Sequence, residues 1–229
     1  MNNLCIIPAR GGSKRIKRKN IKFFLGKPII YYSIQLAQKS KLFNEIVVST
    51  DDAEIAEIAK SYGASVPFFR SKKNSNDFAT TTDVVLEVVD DYLNNFNKSF
   101  ENICCIYPTS PLTKIEDLKK GYNIISKSKT DMVFPITKFS YPILRSFIID
   151  KDGNLKMKWP QYKSTRSQDL PNSYHDCGQW YWYSSHALKR NFFEKLSYVE
   201  LRNIDAQDID NEDDWDLAEL KYKKIKNIK

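Results

Sequence analysis

An α/β fold built on a mostly parallel sheet is what this chain predicts, and three features predict it. Short β-branched apolar runs alternate with helix-length amphipathic stretches over the first 130 residues. Helix ends carry their own punctuation, as at Asp51-Asp52 and Gly63. A double-proline turn, Pro108-Thr109-Ser110-Pro111, stops an apolar strand at its carboxyl end, the edge where open α/β sheets bind ligands.

Taken in order, Leu4 to Pro8 reads as the first strand, followed by a basic, glycine-bearing loop to Lys27. Pro28 suits a first helical turn, so a helix is expected over Pro28 to Lys39. Glu45 to Ser49 is the second strand, and Asp51 or Asp52 caps a helix ending near Gly63. Ser65 to Phe69 reads as a short third strand, and Thr82 or Asp83 as the cap of a helix to about Phe96. Strand Ile103 to Tyr107, helix Ile115 to Lys127 and strand Met132 to Thr137 complete the regular part. From 139 to 185 three prolines, an Asp152-Gly153 hairpin signal and the run Trp180-Tyr181-Trp182-Tyr183 indicate a β-rich excursion. A helix from about Glu212 to Lys224, acidic at its start and basic at its end, closes the chain.

Length and composition bound the function. With 229 residues, 41% hydrophobic and 28% charged, a single domain over 1–229 is expected. Neither a membrane-spanning run nor a signal-peptide pattern is found at Met1 to Arg10, which predicts a cytoplasmic protein without membrane partners. Cys5, Cys104, Cys105 and Cys177 form no CxxC pair, so metal held through sulfur is not expected. No repeat or low-complexity segment is present. The net charge of +8 is concentrated: seven basic residues and no acid lie between Lys14 and Lys27, and five lysines lie from Lys221 onward. Such an excess suits either nucleic acid or a phosphate pocket. The basic stretch adjoins a strand end and lacks interleaved aromatics, which favours a small phosphate ligand over an RNA-binding module.

Two constellations carry chemistry. The loop Pro8-Ala9-Arg10-Gly11-Gly12-Ser13-Lys14-Arg15 offers flexible backbone amides beside three cations, as wrapping a polyphosphate requires, although it matches neither GxxxxGK[ST] nor GxGxxG. Asp208 and Asp210, two apart on an extended segment, point the same way and can share one hard cation such as Mg²⁺. Asp213 and Asp214 beyond them serve the helix start. A DxD also occurs in metal-dependent glycosyltransferases, which consume a nucleotide sugar rather than make one.

The stretch IIPARGGSKRIKRKN resembles the signature of the cytidylyltransferases that activate acidic sugars, the CMP-sialic acid synthetase family, and YPTSPL resembles their second motif. TRSQDLPNSYHDCGQWYWY with AQDIDNEDDW is most similar to the branch that activates pseudaminic acid. The resemblance implies a Rossmann-like nucleotide-diphospho-sugar transferase fold, and a homodimer in which the excursion reaches the partner's sugar pocket. It further implies transfer of CMP from CTP to the anomeric hydroxyl of a nonulosonic acid, releasing pyrophosphate. By it, Ala9, Arg10, Gly12, Ser13, Lys14 and Asn20 bind the triphosphate and ribose, with Arg10 and Lys14 stabilising charge at the reacting phosphate. Arg70 and Thr80, Thr81 and Thr82 lie near the cytosine, and Asp208 and Asp210 hold Mg²⁺.

For the sugar, Tyr107 stands where sialic acid synthetases commonly have Gln, which points away from N-acetylneuraminic acid. Arg166 is the candidate for the sugar carboxylate, because a guanidinium fork matches it bidentately. His175, Asp176 and Gln179 are expected to read sugar hydroxyls or N-acyl groups, with Tyr181 of the aromatic run beside them; His186 reads as a helix-start residue without chemistry.

Overall fold

A computed structural model describes residues 2–228. Its centre is a mixed sheet in the order β11-β6-β10-β5-β1-β4, with β9 also paired to β6. The strands are β1 (Asn3–Pro8), β4 (Glu45–Ser49), β5 (Asn102–Ile106), β6 (Met132–Lys138), β9 (Tyr174–Asp176), β10 (Trp180–Ser184) and β11 (Leu196–Leu201). Pairs β1·β4, β1·β5 and β6·β11 are parallel, whereas β10 runs antiparallel between β5 and β6. Helices α1 (Ile30–Ser40), α2 (Ala53–Ser61) and α4 (Ile115–Lys127) cover one face, and α3 (Thr81–Phe96) with α5 (Ser185–Arg190) covers the other.

Strand alternation explains the two cores. Cys5 and Ile7 of β1 pack towards α1, α2 and α4, while Leu4 and Ile6 pack towards α3. The aromatic strand divides the same way: Trp180 and Trp182 are fully buried on the first face, Tyr183 on the second. Gly121 of α4 is required by that packing, since a Cβ there would lie 2.5 Å from the Trp180 ring. All four cysteines are buried and free, and burial pushes the thiols of Cys5, Cys104, Cys105 and Cys177 up.

Several expectations need correction. Pro28 does not open a helix; it pairs with Phe23 in a tight hairpin, β2 (Phe23–Phe24) and β3 (Lys27–Pro28). Leu25 and Gly26 make the turn with φ of 44° and 86°, the pattern a two-residue hairpin prefers. The third strand reduces to one bridge, Ser65 to Val47, because Pro67 offers no N–H to extend it. Thr80, not Thr82 or Asp83, caps α3, in a reciprocal capping box with Asp83.

The aromatic run belongs to the central sheet rather than to the excursion. What projects from the sheet is 139–173, whose regular part is the hairpin β7 (Phe147–Ile149) and β8 (Leu155–Met157), turned at Gly153 with φ 81°. Asp52 caps α2, and α6 (Glu212–Lys226) packs Trp215 and Ala218 against Phe24 and Ile209 in a third apolar cluster.

Candidate active site

The loop after β1 is held from below. Asp51 accepts from the Gly11 N–H at 2.9 Å, and the Asn20 side chain donates to the Arg10 carbonyl at 2.9 Å. Gly11 leaves no room for a side chain: a Cβ would meet the Asp52 carboxylate at 2.7 Å. Asp52 in turn is gripped by Arg18, which holds its carboxyl below the usual range. The glycine therefore lets β1's loop sit against the start of α2, and Arg10, Lys14, Arg15 and Lys19 of the loop face the other way.

They face a cleft of 590 Å³ at the carboxyl edge of β1 and β5. Of the expected nucleotide residues Arg10, Ser13, Lys14, Asn20, Arg70, Thr80 and Thr81 line it, while Ala9, Gly12 and Thr82 do not. Arg70 is 8% exposed and donates to Ser49 Oγ at 3.0 Å, and desolvation lowers its pKa. Asp77 also enters, paired with Arg10 at 2.7 Å and with Lys14. Nothing in the sequence marks Asp77, a single acid in a polar loop.

A second cavity, 380 Å³, is lined by His175, Asp176, Asp208, Asp210, Asp214 and Lys221, among others. Asp208 and Asp210 thus lie together, and Asp208 has its pKa raised by burial and by Asp210. Arg15 and Lys19, both in the first cleft, join the two cavities: Arg15 pairs with Asp210 at 2.7 Å, and Lys19 donates to the Ile209 carbonyl at 2.6 Å and lies 3.8 Å from Asp210. Burial lowers the pKa of Lys19. The side chain of Lys14 is 79% exposed, whereas that of Lys19 is 20% exposed. The clue to Lys19 was its place at the end of the basic run beside Asn20.

The residues expected at the sugar are dispersed. Tyr107 lines the first cleft; its hydroxyl meets Thr81 Oγ1 at 2.7 Å, and burial pushes its pKa up to about 12. Tyr181 packs on Tyr107 with ring centroids 5.4 Å apart and donates to Asp176 at 2.7 Å, so Tyr107 and Tyr181 span the gap between the cavities. His175 and Asp176 line the second cavity. Gln179 does not face either cavity: it is 1% exposed, with its amide donating to the Asp205 carbonyl. Arg166 lies in the projecting segment, 72% exposed and paired with Asp169, and joins neither cavity of its own chain. His186 sits in the first turn of α5.

A cationic, glycine-built cleft beside a carboxylate pair suits a nucleoside triphosphate with its phosphates at the junction. The comparisons with known proteins agree. The cytidylyltransferase family model matches residues 4–158. The chain is 43% identical over 227 residues to a pseudaminic acid cytidylyltransferase of Campylobacter jejuni subsp. jejuni serotype O:2, covering 97% of each chain. It is 31% identical over 219 residues to N-acylneuraminate cytidylyltransferase A of Danio rerio, covering 93% of this chain and 49% of that one. Among solved structures, CMP:2-keto-3-deoxy-manno-octonic acid synthetase complexed with CTP superposes with a TM-score of 0.70 at 15% identity, covering 99% of this chain and 100% of the other. The fold is the Rossmann-like one of nucleotide-sugar transferases.

Proposed function

The chain belongs to the cytidylyltransferase family of CTP-dependent nucleotidyltransferases, and we propose that its acceptor is pseudaminic acid. The near full-length likeness to a pseudaminic acid cytidylyltransferase carries that choice of sugar. In the reaction, the sugar's anomeric oxygen attacks the α-phosphorus of CTP in line. A new P–O bond forms, the α–β phosphoanhydride breaks, pyrophosphate leaves and the hydroxyl proton is lost.

In this reading Arg10, Ser13, Lys14 and Asn20 hold the triphosphate and ribose, and Arg70 with Thr80 and Thr81 borders the base. Lys19 stands where the two cavities meet, so its ammonium neutralises charge at the reacting phosphate. Asp208 and Asp210 fit Mg²⁺ by the chemistry of their donors: hard oxygens, one of them disfavoured as an anion by burial and a like charge. Bound there, the ion would supply charge neutralisation and orientation of the triphosphate. Tyr107, His175, Asp176 and Tyr181 form the sugar side, a surface both polar and aromatic that suits N-acyl groups. Gln179 supports this side from within rather than touching the sugar.

A second copy of the chain completes the site. Arg166 projects on 139–173 away from its own cavities, and the same segment exposes Tyr141, Phe147, Ile149 and Leu155. A homodimer that covers these side chains brings Arg166 to the partner's sugar pocket. No helix among the described residues is long and apolar enough to cross a membrane, and we place the enzyme in the cytoplasm, where CTP is made available.

Pyrophosphate release with CTP and a panel of pseudaminic, N-acetylneuraminic, legionaminic and 3-deoxy-manno-octulosonic acids tests the reading. Pseudaminic acid should have the highest kcat/KM. Equal or better use of another acid overturns the sugar and leaves the reaction standing.

A further inference from the structure

Helix α6 presents Asp214 and Lys221 seven residues apart, two turns on one face, towards the acidic segment that carries Asp208 and Asp210. Lys221 Nζ donates to the carbonyls of Asn203 at 3.1 Å and Ala206 at 2.7 Å and to Gln207 Oε1 at 3.0 Å. The other end of the Gln207 amide donates to the Asp208 carbonyl at 3.0 Å and lies 3.4 Å from Asp214 Oδ1. Asp214 Oδ2 accepts from the N–H groups of Asp210 at 3.0 Å and Asn211 at 3.1 Å. Both ends of the segment are thereby tied to one rigid helix.

Helix docking does not require Lys221, and Asp214, which also closes a reciprocal capping box with Asn211 at the start of α6, reaches beyond that box to the Asp210 N–H. Trp215 and Ala218 of α6 already bury themselves with Ile209 in the third apolar cluster. Lys221 offers three donors to three neutral oxygens and no carboxylate, an arrangement whose desolvation cost an apolar side chain of equal length avoids. Burial lowers its pKa accordingly. The cavity it lines holds Asp176, Asp208, Asp210 and Asp214, and Lys221 is the only Lys or Arg among the lining residues. Gly178, in the left-handed region at φ 60°, approaches Asp208 closely, its position for a Cβ 3.5 Å from the carboxyl carbon.

We infer that Lys221 and Asp214 are positioning residues: through Gln207 and the backbone of 203–211 they hold the two carboxylates at the phosphate end of the nucleotide cleft. The inference rests on the reading of Asp208 and Asp210 as metal ligands.

Mn²⁺ bound by the full-length enzyme with CTP, in the absence of sugar, is counted from the loss of the free-ion electron paramagnetic resonance signal beyond that caused by the same CTP without enzyme. CTP binding in chelator is followed by calorimetry. Lys221→Met keeps the stem and removes the ammonium; Asp214→Asn, nearly isosteric, tests the other tie should the first variant fail to fold. Each should weaken Mn²⁺ binding by about tenfold or more, as loss of groups that orient metal ligands does, while CTP binding in chelator stays unchanged. Mn²⁺ affinity equal to that of the unmodified enzyme in both variants overturns the brace, as does an equal loss of CTP binding in chelator. If the unmodified enzyme itself takes up no Mn²⁺, the metal reading fails and the brace falls with it.

Discussion

The loop 8–20 and the segment 139–173 both reach out from the edge of the sheet, and they are built on opposite principles. The loop is tied down: Asp51, Asn20 and the Arg18–Asp52 pair fix its backbone, and Ile16 is buried beneath it. The projecting segment contributes no side chain to the three buried clusters, and Phe147, Ile149 and Leu155 are 59%, 73% and 65% exposed. A site for a charged, mobile triphosphate needs donors already held in place, since ordering them on binding costs conformational entropy. An exposed apolar surface is stabilised only by something that covers it, and here its own chain leaves it open.

Within the loop the contrast between Lys19 and Lys14 tests that logic most strongly. Lys19 is four-fifths enclosed and in contact with the acidic segment, whereas Lys14 is exposed and, among the described residues, pairs with Asp77 alone. Lys19→Met should lower kcat by about 100-fold, the loss of roughly 2 to 4 kcal/mol of charge stabilisation in the transition state. Lys14→Met should cost less than about tenfold, as exposed ion partners do, and mainly in KM. Steady-state kinetics at saturating sugar decides it: the reverse order would return the reacting phosphate to Lys14.

In the projecting segment, Ile149→Asp places a charge on the exposed hairpin face. If a second copy covers that face, the burial of an unpaired carboxylate raises the dimer dissociation constant by roughly thirtyfold, about 2 kcal/mol. Sedimentation and activity over a range of protein concentrations should show dissociation together with loss of activity, recovered at high concentration. Unchanged association would mean that the pairing surface lies elsewhere.

What the sequence disclosed follows the same division. Strand Glu45–Ser49 and helix Ile115–Lys127 were legible to the residue because apolar periodicity and end signals are local. The position of β10 was not: Trp180 to Ser184 alternates like any half-buried strand, and only the pairing partners reveal that it is inserted between β5 and β6. The loop cations and the pair Asp208 and Asp210 stand out by motif and spacing, and the fold brings them to two adjoining cavities. Lys19 and Lys221 were missed because their worth comes from burial against distant carbonyls, Ile209 for one and Asn203 and Ala206 for the other. The burial of Gln179 is not legible for the same reason, since a polar residue between Gly178 and an aromatic run gives no sign of which way its side chain turns.

Asp77 supplies the finest test of the pre-set loop. Its carboxylate pairs with Lys14 and Arg10, which hold it below the usual carboxylate range, so it is ionised throughout the neutral pH range. Arg10 also donates to the Asn76 carbonyl at 3.0 Å, so the 71–79 loop leans on the cations meant for phosphate. Carboxylate and triphosphate compete for the same donors, and the pair is open to water, with Asp77 39% exposed and Arg10 34%. Screened pairs of this kind carry little energy, so Asp77→Asn should tighten CTP binding only by about two- to fivefold, read by calorimetry in chelator to keep metal out of the measurement. Raising ionic strength should shrink the difference between the two proteins, because both the pair and the triphosphate contacts are screened. Weaker binding by Asp77→Asn would show the opposite relation: Asp77 would be aligning Arg10 and Lys14 for the phosphates, and the acid would belong with the ties that hold the loop rather than with the ligand's competitors.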